Sequence, residues 1–307
     1  MTTSMTTPTR VELGGPGLEP ARRAFVDVAR DLLQLTKPRI TVLVVLTGLG
    51  GTWLARRTHA VSAIDWQRTA IAMFGVVLVV SGASALNMYV ERDIDGLMAR
   101  TQDRPLPAQR LSPTVALVFG MVLGFGSLPL LWYRVNELTA LLAAFSLVSY
   151  VWIYTPLKRV TPWAVAIGAV PGAMPPLLGW TAVTGSIGRA GVALFAVLFF
   201  WQLPHFLAIS TFREGEYTRA GIKVMPAVHG DRVTRAYASF FTLLLIAASL
   251  SLVGFGVEGA FYKWSASLLG AVFFVMSARR HDSIAWARTL FVTSLVYLPA
   301  LIVAMLL

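Results

Sequence analysis

The chain has 307 residues, 56% of them hydrophobic and only 13% charged, with a formal net charge of +11 and no cysteine. So few polar groups cannot cover a soluble globule, which places the chain in a bilayer. Disulfides, thiolate metal sites and cysteine nucleophiles are excluded, and no loop interleaves a basic run with aromatics, so the positive charge needs no nucleic-acid partner.

Residues 1–23, rich in Thr, Pro and Gly, lack a short apolar core and cleavage site. They read as a disordered tail rather than a signal peptide, leaving 24–307 as one membrane domain. Phe25, Val28, Leu32 and Leu35 recur at helical spacing, which predicts a short helix lying in the interface before Lys37-Pro38. Nine apolar runs of membrane-crossing length follow, centred on 40–55, 69–90, 113–133, 137–155, 160–182, 190–211, 236–257, 259–277 and 284–306. No polar/apolar alternation suits a membrane barrel, so the fold class is all-α and polytopic. With the N-terminus cytoplasmic, the segments on that side carry 20 of the 26 lysines and arginines. That imbalance follows the positive-inside rule and puts the C-terminus on the opposite side. Glu12 and Glu19 in the tail argue against an acid-poor mitochondrial leader and for a bacterial inner membrane.

The second run ends in Asn87-Met-Tyr-Val-Glu91-Arg92-Asp93-Ile-Asp95, with Arg100 and Arg104-Pro105 just beyond. At 3.6 residues per turn, Asn87, Glu91 and Asp95 project within roughly 80° of one another, while Asp93 points largely away. Converging acids repel unless a cation sits between them, and hard oxygen ligands suit Mg²⁺ bridged to substrate phosphates. Arg92, Arg100 and Arg104 are placed to hold the other phosphate oxygens. The bland alternative is a helix end whose acids and arginines pair with each other in water.

Span four closes on Tyr154-Thr-Pro-Leu-Lys158-Arg159, and its basic pair either contacts substrate or sets topology. In span five, Gly172, Pro175, Pro176 and Gly179 predict a broken helix lining a cavity. Span six carries Trp201-Gln-Leu-Pro-His205-Phe206, which puts an ionisable ring inside the membrane. His205 is either functional or hydrogen-bonded to a neighbouring helix, with Pro204 freeing a carbonyl for it. The loop after it holds Glu214, Glu216 and Lys223. Only one of the two glutamates can face a site, and Glu216 is the candidate, with Lys223 a second phosphate contact. The four histidines, at positions 59, 205, 229 and 281, are too far apart for a local metal site.

Asn87, Glu91 and Asp95, followed by Arg100 and Arg104-Pro105, resemble the acidic motif of the UbiA superfamily of intramembrane prenyltransferases. Tyr154 to Arg159, Gly172-Ala-Met-Pro-Pro-Leu-Leu-Gly-Trp180 and Trp201-Gln-Leu-Pro-His205-Phe resemble its haem-farnesylating branch, the protohaem IX farnesyltransferases, from about Leu35 to the C-terminus. Two departures stand out: the second acidic motif is reduced to Glu216, and Gly221-Ile-Lys-Val-Met-Pro replaces the common Gly-Ile-Pro-Met-Leu-Pro.

The resemblance implies a UbiA-type bundle of nine helices with a central cavity. It implies transfer of the farnesyl group of farnesyl diphosphate to the 2-vinyl group of haem B, with addition of water, giving haem O. Mg²⁺ would sit on Asn87, Glu91, Asp95 and Glu216. Arg92, Arg100, Arg104 and Lys223 would bind diphosphate and Lys158 and Arg159 haem propionates, Trp201 would lie against the substrate, and His205 would either contact haem, by iron ligation or a hydrogen bond, or accept a proton near the reacting vinyl. Tyr150, Trp152, Tyr154 and Trp201 are the rings nearest in sequence to shelter a developing cation. Downstream partners would be a haem A synthase or oxidase assembly factors. The competing classes are a superfamily member acting on a quinone precursor or chlorophyll-type ring, and a transporter, which also uses broken helices near the midplane.

Overall fold

The computed structural model describes residues 18–58, 60–279 and 282–307. Of the expected tail, 1–17 lies outside the described residues, and the chain is helical from Leu18, in α1 (Leu18–Leu35). Of the apolar stripe of α1, Phe25 and Val28 are exposed and Leu32 is half-buried. Leu35 is buried with Ala85, Met88, Leu106 and Leu111, and the Arg110 guanidinium clamps Asp31 at 3.0 Å, so α1 is docked on the segment that follows Asp95.

The spans follow as α2 (Pro38–Arg57), α3 (Trp66–Asp95), α4 (Pro113–Gly126), α5 (Leu128–Arg134), α6 (Glu137–Val148) and α7 (Thr155–Leu157). After them come α8 (Ala164–Thr184), α9 (Arg189–Phe212), the short α10 (Glu214–Arg219), α11 (Met225–Gly254), α12 (Ala260–Ala278) and α13 (Ser283–Leu306). Among the described residues, nine helical stretches are long and apolar enough to cross a membrane, and each overlaps one of the nine expected runs. The chain is a multi-pass, all-α membrane protein.

Local chemistry sets the ends. Asp65, Ser112 and Asn136 accept from the third backbone N–H beyond them, and Asp282 accepts from Ile284 and Ala285. Pro38, Pro113 and Pro226 stand in the first turn, where a missing N–H costs nothing. The third run is stepped, since Pro129 interrupts it and α5 restarts from Ser127. The seventh begins earlier than expected, at Met225, because Gly230 takes φ 77° and joins two helical pieces.

Span five corrects the expectation of a broken helix: α8 is helical from Ala164 to Thr184 with Pro171, Pro175 and Pro176 inside it. Pro175 removes a donor from the Pro171 carbonyl, and the Ser146 hydroxyl approaches that oxygen at 3.5 Å. The glycines act by contact instead. A Cβ on Gly179 would lie 1.8 Å from the Gly48 carbonyl oxygen, and one on Gly51 would lie 1.9 Å from that of Pro176. α2 and α8 therefore touch backbone to backbone, and Thr52 adds a 3.1 Å hydrogen bond to the Gly179 carbonyl. Lipid tails provide no hydrophobic drive between helices, so close approach of this kind carries the packing. Gly179→Ala should cost about 1–3 kcal/mol by overpacking, read as a lower midpoint in detergent unfolding, while Gly50→Ala, with open space at its Cβ, should cost far less.

Candidate functional site: a charged mouth above an apolar cavity

A cavity of about 560 Å³ runs into the bundle between α2, α3, α6, α8 and α9. On α3 its wall is laid down at steps of three and four residues: Asp95, Glu91, Asn87, Ser84, Ala83, Val80 and Val79. From Asp95 to Val79 that face spans roughly 24 Å at 1.5 Å per residue, passing from carboxylates to hydrocarbon. Val44, Leu147, Pro175 and Leu198 continue the apolar wall. Such a channel suits a ligand with an anionic head and a long apolar tail.

The three oxygen-bearing side chains converge as their spacing predicts, and all are buried, with Asn87 2%, Glu91 8% and Asp95 1% exposed. Each holds a lysine or arginine nitrogen. Arg104 Nη1 donates to Asp95 Oδ2 at 2.6 Å, Lys158 Nζ to Glu91 Oε1 at 2.7 Å, and Lys37 Nζ to Asn87 Oδ1 at 3.2 Å. The Asn87 amide donates in turn to Thr155 Oγ1 at 3.1 Å, which fixes which end of the amide is the acceptor. Asp93 points away as expected, its side chain 83% exposed.

The loops after spans two and six meet at this mouth. The Arg100 N–H donates to Glu216 Oε1 at 3.3 Å, and the Lys223 N–H donates to the Lys158 carbonyl at 2.9 Å. Arg100, Arg104, Lys158 and Lys223 all line the cavity. Glu216 is also held by Arg213 at 3.0 Å. Burial pushes its carboxyl up, but these two donors outweigh that and hold it below its usual range. It is not among the cavity residues, and among the described residues no three acidic or histidine side chains form a ready metal cluster. The four-ligand set that included Glu216 is therefore not assembled. Asn87, Glu91 and Asp95 line the cavity together.

Other expectations are corrected too. Arg92 lies off the cavity, bonded to the Tyr89 carbonyl at 2.8 Å and beside Asp93, because one residue past Glu91 is a rotation of about 100°. Arg159 is exposed and also off the cavity, and its neighbour Lys158 pairs with Glu91 rather than standing free for a propionate. Trp152, 50% exposed, faces outward against Phe125.

Tyr150, Tyr154 and Trp201 do line the cavity. A π-helical turn over Ser149–Tyr154 brings Tyr150 and Tyr154 to 5.3 Å between ring centres, with Lys158 Nζ 4.4 Å from the Tyr154 ring centre. His205 lines the cavity with Nδ1 2.7 Å from Ser294 Oγ on α13, and its ring is stacked between Trp201 and Phe291. The neighbouring-helix alternative is thus realised, through a hydroxyl rather than a carbonyl freed by Pro204.

Sequence reasoning missed Lys37. It stands in the left-handed region, φ 51°, immediately before Pro38, and that conformation turns it back over the mouth. Burial first, and the positive charges of Arg104 and Lys158 next, pull its ammonium down to about 7. The one available signal was a lone lysine directly before the proline that opens the first span.

The sequence pattern of the UbiA prenyltransferase family matches residues 44–298. The chain belongs to that family. A protoheme IX farnesyltransferase of Sorangium cellulosum (strain So ce56) is 50% identical over 276 residues, covering 86% of this chain and 99% of the relative. One from Anaeromyxobacter dehalogenans (strain 2CP-C) is 45% identical over 90% of this chain and 92% of its own length. Among solved structures, a digeranylgeranylglyceryl phosphate synthase superposes with a TM-score of 0.78 at 16% identity, covering 90% of this chain and 96% of that one. A UbiA homolog from Archaeoglobus fulgidus bound to GPP and Mg²⁺ gives 0.64 at 14% identity, with 90% and 100% coverage. At those identities the structures establish the fold, which this UbiA-family prenyltransferase shares across nearly its whole length.

Proposed function

We propose that this prenyltransferase joins the farnesyl group of farnesyl diphosphate to the 2-vinyl group of haem B. Water is added in the same reaction, giving haem O and diphosphate. The observation that carries the reading is the row Asn87, Glu91, Asp95, buried where a charged mouth opens on an apolar cavity, in a chain 50% identical to a protoheme IX farnesyltransferase.

The farnesyl chain lies along the apolar face of α3 while its diphosphate meets Arg100, Arg104, Lys37, Lys158 and Lys223 at the mouth. Those cations attract the charge that accumulates on the leaving oxygen as the bond to the farnesyl C1 lengthens. Mg²⁺ fits the donor set, because all three side chains offer hard oxygens that already attract cationic nitrogens. Asn87, Glu91 and Asp95 would hold it, and it would supply Lewis-acid neutralisation of the diphosphate. The faces of Tyr150, Tyr154 and Trp201 stabilise the allylic cation without reacting with it. The terminal vinyl carbon of haem B then bonds to the farnesyl C1. The positive charge passes to the adjacent carbon, which takes hydroxide from water as a proton is released. His205 faces the acceptor substrate from the α9 wall.

In this reading the mouth is cytoplasmic, the chain lies in a bacterial inner membrane, and haem O passes to a haem A synthase or oxidase assembly factor. The test is purified full-length protein with farnesyl diphosphate and haem B, with and without Mg²⁺, products identified by mass. Mg²⁺-dependent haem O is the expected result. Prenylation of a quinone precursor or a chlorophyll-type ring but not haem B, or no covalent change at all, would overturn it.

A further inference from the structure

Ser294 lies fully buried on α13, in the middle of an apolar span, and binds two groups of the cavity wall at once. Its carbonyl accepts from Trp201 Nε1 at 2.8 Å, and its hydroxyl stands 2.7 Å from His205 Nδ1. The same hydroxyl lies 2.6 Å from the Phe291 carbonyl oxygen one turn back. A serine hydroxyl has one hydrogen. Two oxygens at 2.6 Å with no hydrogen between them would face each other lone pair to lone pair, so that hydrogen is on the Phe291 side. The Oγ can then meet Nδ1 only as an acceptor, and Nδ1 must carry the ring proton.

In a neutral imidazole this leaves Nε2 with its lone pair. Nε2 makes no hydrogen bond among the described residues and is not sealed within protein, and His205 is one of the residues that line the cavity. Trp201 at 4.9 Å and Phe291 at 5.0 Å between ring centres hold the imidazole plane from both sides.

We propose that Ser294 is a positioning residue that fixes His205 as the Nδ1–H tautomer and so presents an unprotonated Nε2 to the acceptor substrate. The substrate's identity, a porphyrin with a Lewis-acidic iron, rests on the function proposed above. The tautomer does not. The logic is that of outer-sphere control, in which the hydrogen bond at one ring nitrogen decides what the other can bind.

The experiment uses full-length protein labelled with ¹⁵N-histidine in lipid nanodiscs, with His205→Ala identifying the signal by its loss. The ring is expected to show a protonated Nδ1 and a bare Nε2. Ser294→Thr should preserve that pattern, and Ser294→Ala should move the ring toward the Nε2–H form. On adding haem B, the Nε2 resonance should shift in wild type and in Ser294→Thr, with apparent haem affinity about 10–100-fold weaker in Ser294→Ala. A wild-type spectrum with the proton on Nε2 overturns the proposal even if Ser294→Ala fails to fold. So does a folded Ser294→Ala with an unaltered tautomer. If the tautomer is as stated but haem B leaves Nε2 unmoved, the haem reading fails and the lock on the ring stands.

Discussion

Asp95→Asn should lower turnover of farnesyl diphosphate by about 10²–10³-fold, the loss typical when one preorganised electrostatic contact to developing charge is removed. Asn keeps the size and one oxygen of the side chain but gives up its charge. Asp95 is 1% exposed and bonded to Arg104 at 2.6 Å, so the change acts on both the proposed metal ligand set and the guanidinium proposed to hold the diphosphate. The internal control is Asp93→Asn. That carboxylate is two residues away but 83% exposed and turned from the cavity, and its removal should leave turnover within a factor of about two, as is usual for surface changes of ±0.5 kcal/mol. Both variants should insert and elute like wild type. Near-normal rates for Asp95→Asn at ordinary Mg²⁺ would remove Asp95 from the site. Equal losses in the two variants would trace the effect to overall charge rather than to the row on α3.

What could be read from the chain without coordinates was whatever a single helix decides by itself. Nine apolar runs became nine helices of membrane-crossing length among the described residues because their length is set by the bilayer, and the row Asn87, Glu91, Asp95 followed from 3.6 residues per turn. The same rotation argument, applied to Asp93, would also have removed Arg92, which lies one residue past Glu91 and ends on the Tyr89 carbonyl. Relations between helices were not legible. Nothing local announces that Lys158 reaches Glu91 across 67 positions, or that Ser294, one of many serines in apolar spans, meets His205 across 89. Span five misled for a physical reason: prolines break helices in water, but inside a bundle a neighbouring hydroxyl such as that of Ser146 can approach the freed carbonyl and the helix continues. Its glycines marked close contacts, Gly179 with α2 and Gly172 with Gln202 on α9, pairings visible only once the helices are placed.

Lys158→Met separates the two roles of the mouth. The Lys158 and Glu91 side chains are 17% and 9% exposed and 2.7 Å apart, so removing the ammonium leaves a buried carboxylate without its charge partner. Breaking a buried pair from one side costs about 3–5 kcal/mol, and detergent unfolding of Lys158→Met should show a loss of that order. Adding Glu91→Gln removes the stranded charge, so the double variant should recover much of the lost stability. Turnover should follow a different course. If Lys158 contacts the diphosphate and Glu91 holds Mg²⁺, each single variant should lose a charge-assisted contact worth about 1.5–3 kcal/mol, roughly 10–150-fold in rate. The double variant should then be at least as slow as the worse single one. Stability and turnover recovering together would make the pair a structural bridge and place diphosphate binding on Arg100, Arg104, Lys37 and Lys223. Stability recovering while turnover does not would assign Lys158 and Glu91 to the chemistry at the mouth.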